Sequence, residues 1–193
     1  MKRIALAAAL AAAVAGAIAT LPATAAETYS LDVRHTFPSF EVMHLGYSLQ
    51  RGRFNKTSGK VTIDPAAKKG TADITIDAAS VDTGLDKLEE HLRGEDFFNV
   101  AKYPTITFKG DKFAFDGDKV KSVSGNLTML GVTKPVTLTA TYFNCADHPM
   151  AKKKACGGDF VTTIKRTDFG MKYAVPAVAD EVTLRIQVEA FKD

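Results

Sequence analysis

The chain has 193 residues, 46% hydrophobic and 24% charged, with 25 Lys+Arg against 22 Asp+Glu, two Cys and no Trp. That balance excludes a disordered polyelectrolyte and a polytopic membrane protein. A net charge of +3, carried by scattered basic residues, leaves no electrostatic footprint for nucleic acid, and no such partner is expected.

Apolar residues are concentrated at the start. Lys2 and Arg3 precede an apolar run over residues 4–18, followed by Pro22 and the small-x-small triplet Ala23-Thr24-Ala25. This is the layout of a secretory signal peptide, cleaved after Ala25. The run is shorter than the roughly 20 residues a bilayer crossing needs, so no stable membrane insertion is expected after cleavage. No Cys near the cleavage site offers a lipid anchor. Residues 1–25 are therefore read as leader and 26–193 as one exported domain, long enough to bury a sizeable core. Loss of Lys2 and Arg3 lowers its net charge to +1.

Within that domain the dominant period is two. Strands are predicted over 29–34, 39–43, 51–63 (bent near Gly59), 71–77, 105–115, 119–130, 134–143, 160–165 and 180–190. The last is the clearest: Val182, Leu184, Ile186, Val188 and Ala190 share one face, Thr183, Arg185, Gln187 and Glu189 the other. Turns at 64–70, around Gly117 and at Leu130-Gly131 separate the runs. One segment departs from this period. Leu85, Leu88 and Leu92 form a helical stripe, with Asp82 or Thr83 as the expected cap and Gly94 as the stop, predicting a helix over about 83–93. Eight or nine strands at this spacing indicate an all-β sandwich or barrel. Strands of about ten residues would give a barrel near 25 Å tall. An eight-stranded barrel is either filled by side chains or holds one ligand, and periodicity does not distinguish the two.

Cys145 and Cys156 in an exported protein predict a structural disulfide, since catalytic dithiols favour a Cys-x-x-Cys arrangement. The intervening Lys152-Lys153-Lys154 reads as a solvated loop tip. The four histidines show no metal-binding spacing, so no metal and no cofactor is expected. No nucleophile elbow or phosphate loop is present. Arg93 with Asp96, and Arg166 with Asp168, are expected as ion pairs at a rim.

Several ordered blocks resemble the YceI-like polyisoprenoid-binding family. They are His44-Leu45-Gly46-Tyr47-Ser48 with Gly52-Arg53-Phe54, Ser80-Val81-Asp82-Thr83, and His91-Leu92-Arg93 with Asp96-Phe97-Phe98. Tyr103-Pro104, Gly125-Asn126-Leu127-Thr128, Gly131-Val132-Thr133-Lys134-Pro135-Val136 and Arg166-Thr167-Asp168-Phe169-Gly170 follow in order. The resemblance implies an extended eight-stranded, lipocalin-like antiparallel barrel in the periplasm. It implies a partner that is an isoprenoid lipid, such as a polyprenyl phosphate or the tail of a quinone, and assembly as a homodimer. The Cys145–Cys156 segment departs from the common pattern.

A greasy tunnel suffices for such binding, because burial contributes about 0.8 kcal/mol per CH₂. The candidate lining is Phe40, Val42, Ile74, Ile76, Ile106, Phe108, Leu127, Met129, Phe160, Leu184 and Ile186. Candidates for a polar head group at the rim are His44, Arg93 and Lys134. The role expected is that of a carrier and not of an enzyme. The competing readings are an enzyme using His44 or His91 as base, and a filled barrel with a structural or stress role.

Overall fold

The computed structural model describes residues 26–193, and the predicted leader lies outside them. The strands are β1 (Glu27–Leu31), β2 (Phe37–His44), β3 (Ser48–Phe54), β4 (Thr57–Asp64), β5 (Lys69–Asp77) and β6 (Val81–Asp82). After helix α1 (Asp86–Arg93) come β7 (Thr105–Asp116), β8 (Lys119–Met129), β9 (Val132–Asp147), β10 (Lys154–Lys165) and β11 (Val178–Lys192). All pairings are antiparallel. They close a ring in the order β1-β4-β5-β7-β8-β9-β10-β11 and back to β1. The expected eight-stranded barrel is therefore the fold.

Three walls of that barrel are composite. β11 pairs with β1 through Ala190–Lys192 and with β2 through Val178–Gln187, so β1 and β2 share one edge. β3 and β4 likewise follow one another along β2 and β1, and β6 and β5 along β3 and β4. The expected continuous strand over 51–63 is thus broken. At the break, the Asn55 and Lys56 amides donate to the Ser80 carbonyl and hydroxyl. Gly59, where a bend was expected, lies within the continuous β4–β5 ladder. Its φ of +152° suits glycine, and an added Cβ would lie 2.2 Å from the Asp73 carbonyl of β5.

The ring is closed only towards one end. β6 pairs with β3 through two residues, and no strand pairing joins it to β7 among the described residues. α1 packs beside β6 at this split. The helix is shorter than predicted and its cap differs. Leu85 occupies the N-cap position, 59% exposed and off the core, so only Leu88 and Leu92 of the stripe turn inward. Asp82 caps nothing in the helix; its carboxylate accepts from the Gly84 amide. Glu89 reaches back instead, accepting from the Thr83 and Gly84 amides at 2.9 and 3.2 Å.

The opposite end carries the disulfide. Cys145 and Cys156 face each other across β9 and β10, bonded, with Cα atoms 4.1 Å apart. Of the segment between them, residues 146, 147, 154 and 155 continue the two strands and 148–153 form the turn, which includes Lys152 and Lys153. Nearby, Glu27 accepts from Lys154 Nζ, Lys192 Nζ and the Tyr29 hydroxyl at 2.7, 2.8 and 2.5 Å. The two lysine contacts first, and the Tyr29 hydroxyl with them, hold the Glu27 carboxyl down at about 2. Burial and the Glu27 charge push the Tyr29 phenol up.

Candidate ligand-binding interior

Alternation delivers one side chain in two to the inside of the barrel. On β11 these are Val182, Leu184, Ile186 and Val188; on β2 they are Pro38, Phe40 and Val42. On β7 a register shift between Gly110 and Lys112 changes the parity, so that Ile106 and Phe108 are followed inward by Phe113. The inward rows do not meet in the middle. Two adjoining cavities remain, of about 180 Å³ towards α1 and about 100 Å³ towards the disulfide end. Pro38, Ile74, Phe108, Leu138 and Ile186 belong to both walls and form the neck between them. Phe40, Ile74, Leu184 and Ile186 are only partly buried although they point inward, because the wall they make faces open space.

The sequence-predicted lining converges here. Phe40, Val42, Ile74, Ile76, Ile106, Phe108, Leu127, Met129, Leu184 and Ile186 line the larger cavity, and Phe160 lines the smaller. Sequence reasoning missed Phe54, Leu92, Phe97 and Phe98, which come from β3, α1 and the connection after it. Phe98 meets Phe40 and Phe54 edge to face, and those two rings pack at a tilt, with ring centroids 5.3–6.5 Å apart. The Phe97-Phe98 pair beside α1 was visible as a family block but carried no period that pointed inward.

One charged side chain enters these walls. Arg166, 3% exposed, donates from Nε to the Ala179 carbonyl and from Nη2 to the Val178 carbonyl, both at 2.9 Å. Its Nη1 donates to the carbonyls of Tyr173 at 2.8 Å and Met171 at 3.4 Å. Burial lowers its pKa. The expected pair with Asp168 does not form: among the described residues no carboxylate reaches the guanidinium, and main-chain carbonyls take its place. Arg166 therefore fixes the connection between β10 and β11 over the cavity end.

The three rim candidates stand outside both cavity walls. His44, at the end of β2, is exposed. Lys134 is exposed on β9, opposite Leu127 of β8. Arg93 is committed elsewhere. Its Nε donates to the Ala79 carbonyl at 2.9 Å, and its Nη2 to the Val81 carbonyl and Glu89 at 3.2 Å, fastening α1 to β6. Asp96 pairs not with Arg93, as expected, but with His91 Nε2 at 3.0 Å. The His91 ring also packs on Phe97 and Tyr173, at 4.9 and 5.2 Å. It ties α1 to the β10–β11 connection.

These features define a class: a closed antiparallel barrel whose apolar interior is left partly unfilled, with its larger cavity under a short helix. The model of the YceI-like domain matches residues 29–190, and the chain belongs to that family. Protein YceI of Escherichia coli O157:H7 is 40% identical over 172 residues, covering 86% of this chain and 88% of that protein. A Pseudomonas aeruginosa (strain LESB58) UPF0312 protein matches with the same identity and coverage. Among solved structures, Burkholderia cenocepacia BcnA superposes with a TM-score of 0.71 at 31% identity, over 83% of this chain and 99% of BcnA. A polyisoprenoid binding domain from Saccharophagus degradans superposes at 0.62 with 20% identity, a likeness of fold, over 86% of this chain and 98% of that domain.

Proposed function

We propose that the mature domain carries a long isoprenoid chain, the tail of a polyprenyl phosphate or quinone, inside the barrel. It does so in the periplasm after removal of residues 1–25. The observation that carries this reading is the pair of adjoining cavities walled almost wholly by apolar side chains. Filling such walls with alkyl carbons contributes about 0.8 kcal/mol per CH₂ before ordering costs. That chemistry supports a carrier, since His91 is engaged with Asp96 and two rings and His44 stands outside the walls. The family resemblance adds a homodimer, which sedimentation of the purified protein would check.

The test is organic extraction of protein purified from the periplasm, followed by mass spectrometry. An isoprenoid in stoichiometric amount is the expected result. Protein that yields no lipid, and takes up no prenyl alcohol when offered one, overturns the reading in favour of a structural role. Turnover of a lipid that disappears in His44→Ala or His91→Ala would favour an enzyme.

A further inference from the structure

The hairpin formed by β2 and β3 is held by β11 along its β2 edge as far as His44, while its β3 edge lies open near the tip. Every residue from 43 to 51 is exposed. Among the described residues, β3 pairs on its far side only through Arg53 and Phe54, so the hairpin above them has no neighbour on that edge. An open strand edge such as this is usually blunted with charged side chains. Yet it presents Met43, Leu45, Tyr47 and Leu49 at 38, 53, 88 and 41% exposure. Leu45 and Gly46 both have positive φ, 52° and 74°, which turns the chain tightly and throws the Leu45 and Tyr47 side chains outward.

The location gives this tip its meaning. The Leu45 amide donates to the Ala177 carbonyl, and His44 pairs with Val178, whose side chain lines the larger cavity. Two more exposed apolar side chains, Leu85 before α1 and Tyr173 against His91, lie at the same end. Most of the exposed large apolar side chains thus gather where the larger cavity ends.

We infer that this tip, led by Leu45 and Tyr47, is the surface through which the domain touches a lipid bilayer. The inference rests on the carrier reading above, because a chain that needs an apolar tunnel is drawn from and returned to a membrane. A tyrosine beside aliphatic side chains suits the boundary between acyl chains and head groups. A small apolar turn at a barrel end enters a fluid surface more readily than it builds the broad, complementary face of a stable dimer. The charges around this end are mixed: Lys87, Lys102, Lys134 and Lys172 stand exposed beside Asp86, Glu90 and Glu95. Contact therefore depends on apolar insertion and changes little with salt.

The experiment compares the native domain with the double variant Leu45→Asp/Tyr47→Asp, two exposed turn positions outside the cavity walls. Guest-free vesicles of phosphatidylethanolamine and phosphatidylglycerol should retain the native domain on sedimentation, and the variant at least about tenfold less. Transfer of labelled geranylgeraniol from such vesicles should slow by a similar factor, while equilibrium binding of farnesol without vesicles stays unchanged. Equal retention of both proteins, or retention of neither, overturns the docking surface. A native dimer that the variant dissolves, with transfer rates unaltered, also overturns it and assigns the tip to a second copy. Native protein held by vesicles but unable to bind farnesol would sustain the docking surface and sink the carrier reading, so the two fail separately.

Discussion

Replacing Ile74 by Trp should shorten the guest that the barrel can hold. Ile74 lies on β5, faces Gly59 on one neighbouring strand and Phe108 on the other, and belongs to the walls of both cavities. An indole there occupies the neck formed with Pro38, Leu138 and Ile186. An isoprene unit brings five carbons, or about 4 kcal/mol gross at the usual burial value. Ordering costs roughly halve that, so excluding one unit weakens binding by about 2 kcal/mol, near 30-fold. Overpacking costs the fold about 1–3 kcal/mol, less where open space lies on either side. Calorimetric titration with prenyl alcohols of increasing length, alongside urea unfolding, separates the two effects. The shortest guest should bind both proteins alike, and the longest should lose about 30-fold or more. A folded variant that binds the longest guest as tightly as the native domain would refute a through-going tunnel.

Glu27 makes stability depend on acid. Its folded pKa of about 2 lies below the ordinary 4.5, so its contribution is complete above pH 4.5 and is lost as pH falls through about 2. With the side chain 27% exposed, screening reduces the effect to about 1 kcal/mol; a Glu27→Gln variant should flatten this part of a stability–pH profile. Reducing the Cys145–Cys156 bond should cost about 2 kcal/mol, or about 4–8 °C in Tm by calorimetry, because the β9–β10 ladder already holds the two strands in register. Thr57 is 3% exposed and its hydroxyl has no hydrogen-bond partner among the described residues. Thr57→Val should therefore raise the urea midpoint, by about 1 kcal/mol, and a loss of stability would show that the hydroxyl has a partner after all.

What could be read in the sequence depended on how local its cause was. The β11 rows are legible because one face turns towards the apolar interior along most of the strand, which imposes an unbroken alternation. The break between β3 and β4 is not, since it is made by Ser80, far along the chain from Asn55 and Lys56. The first half of β10 was missed because Gly157 and Gly158 have little strand propensity, and pairing with Asn144 and Phe143 supplies what they lack. Leu85 shared the spacing of the helical stripe, but the helix begins one residue later and leaves it in solvent. Inward parity was visible for every candidate lining residue. Whether inward rows would touch was not, because that depends on the summed volume of side chains from eight strands.

The same wall chemistry fixes what the interior can discriminate. Among the described residues Arg166 is the one charged residue in either wall, and four main-chain carbonyls already engage its N–H groups. On the carrier reading, a guest's polar end would find little inside to hold it and would stay outside the walls, among charges of both signs at the α1 end. Tail length should then govern affinity, at about 0.8 kcal/mol gross for each carbon buried, with little from the head group. Prenyl alcohol and prenyl phosphate of equal length should accordingly bind within about tenfold of each other, about 1.4 kcal/mol. Removing one isoprene unit should matter more than removing the phosphate. A strong preference for the phosphate, abolished by salt, would place a selective cationic site at the barrel end and contradict selection by length.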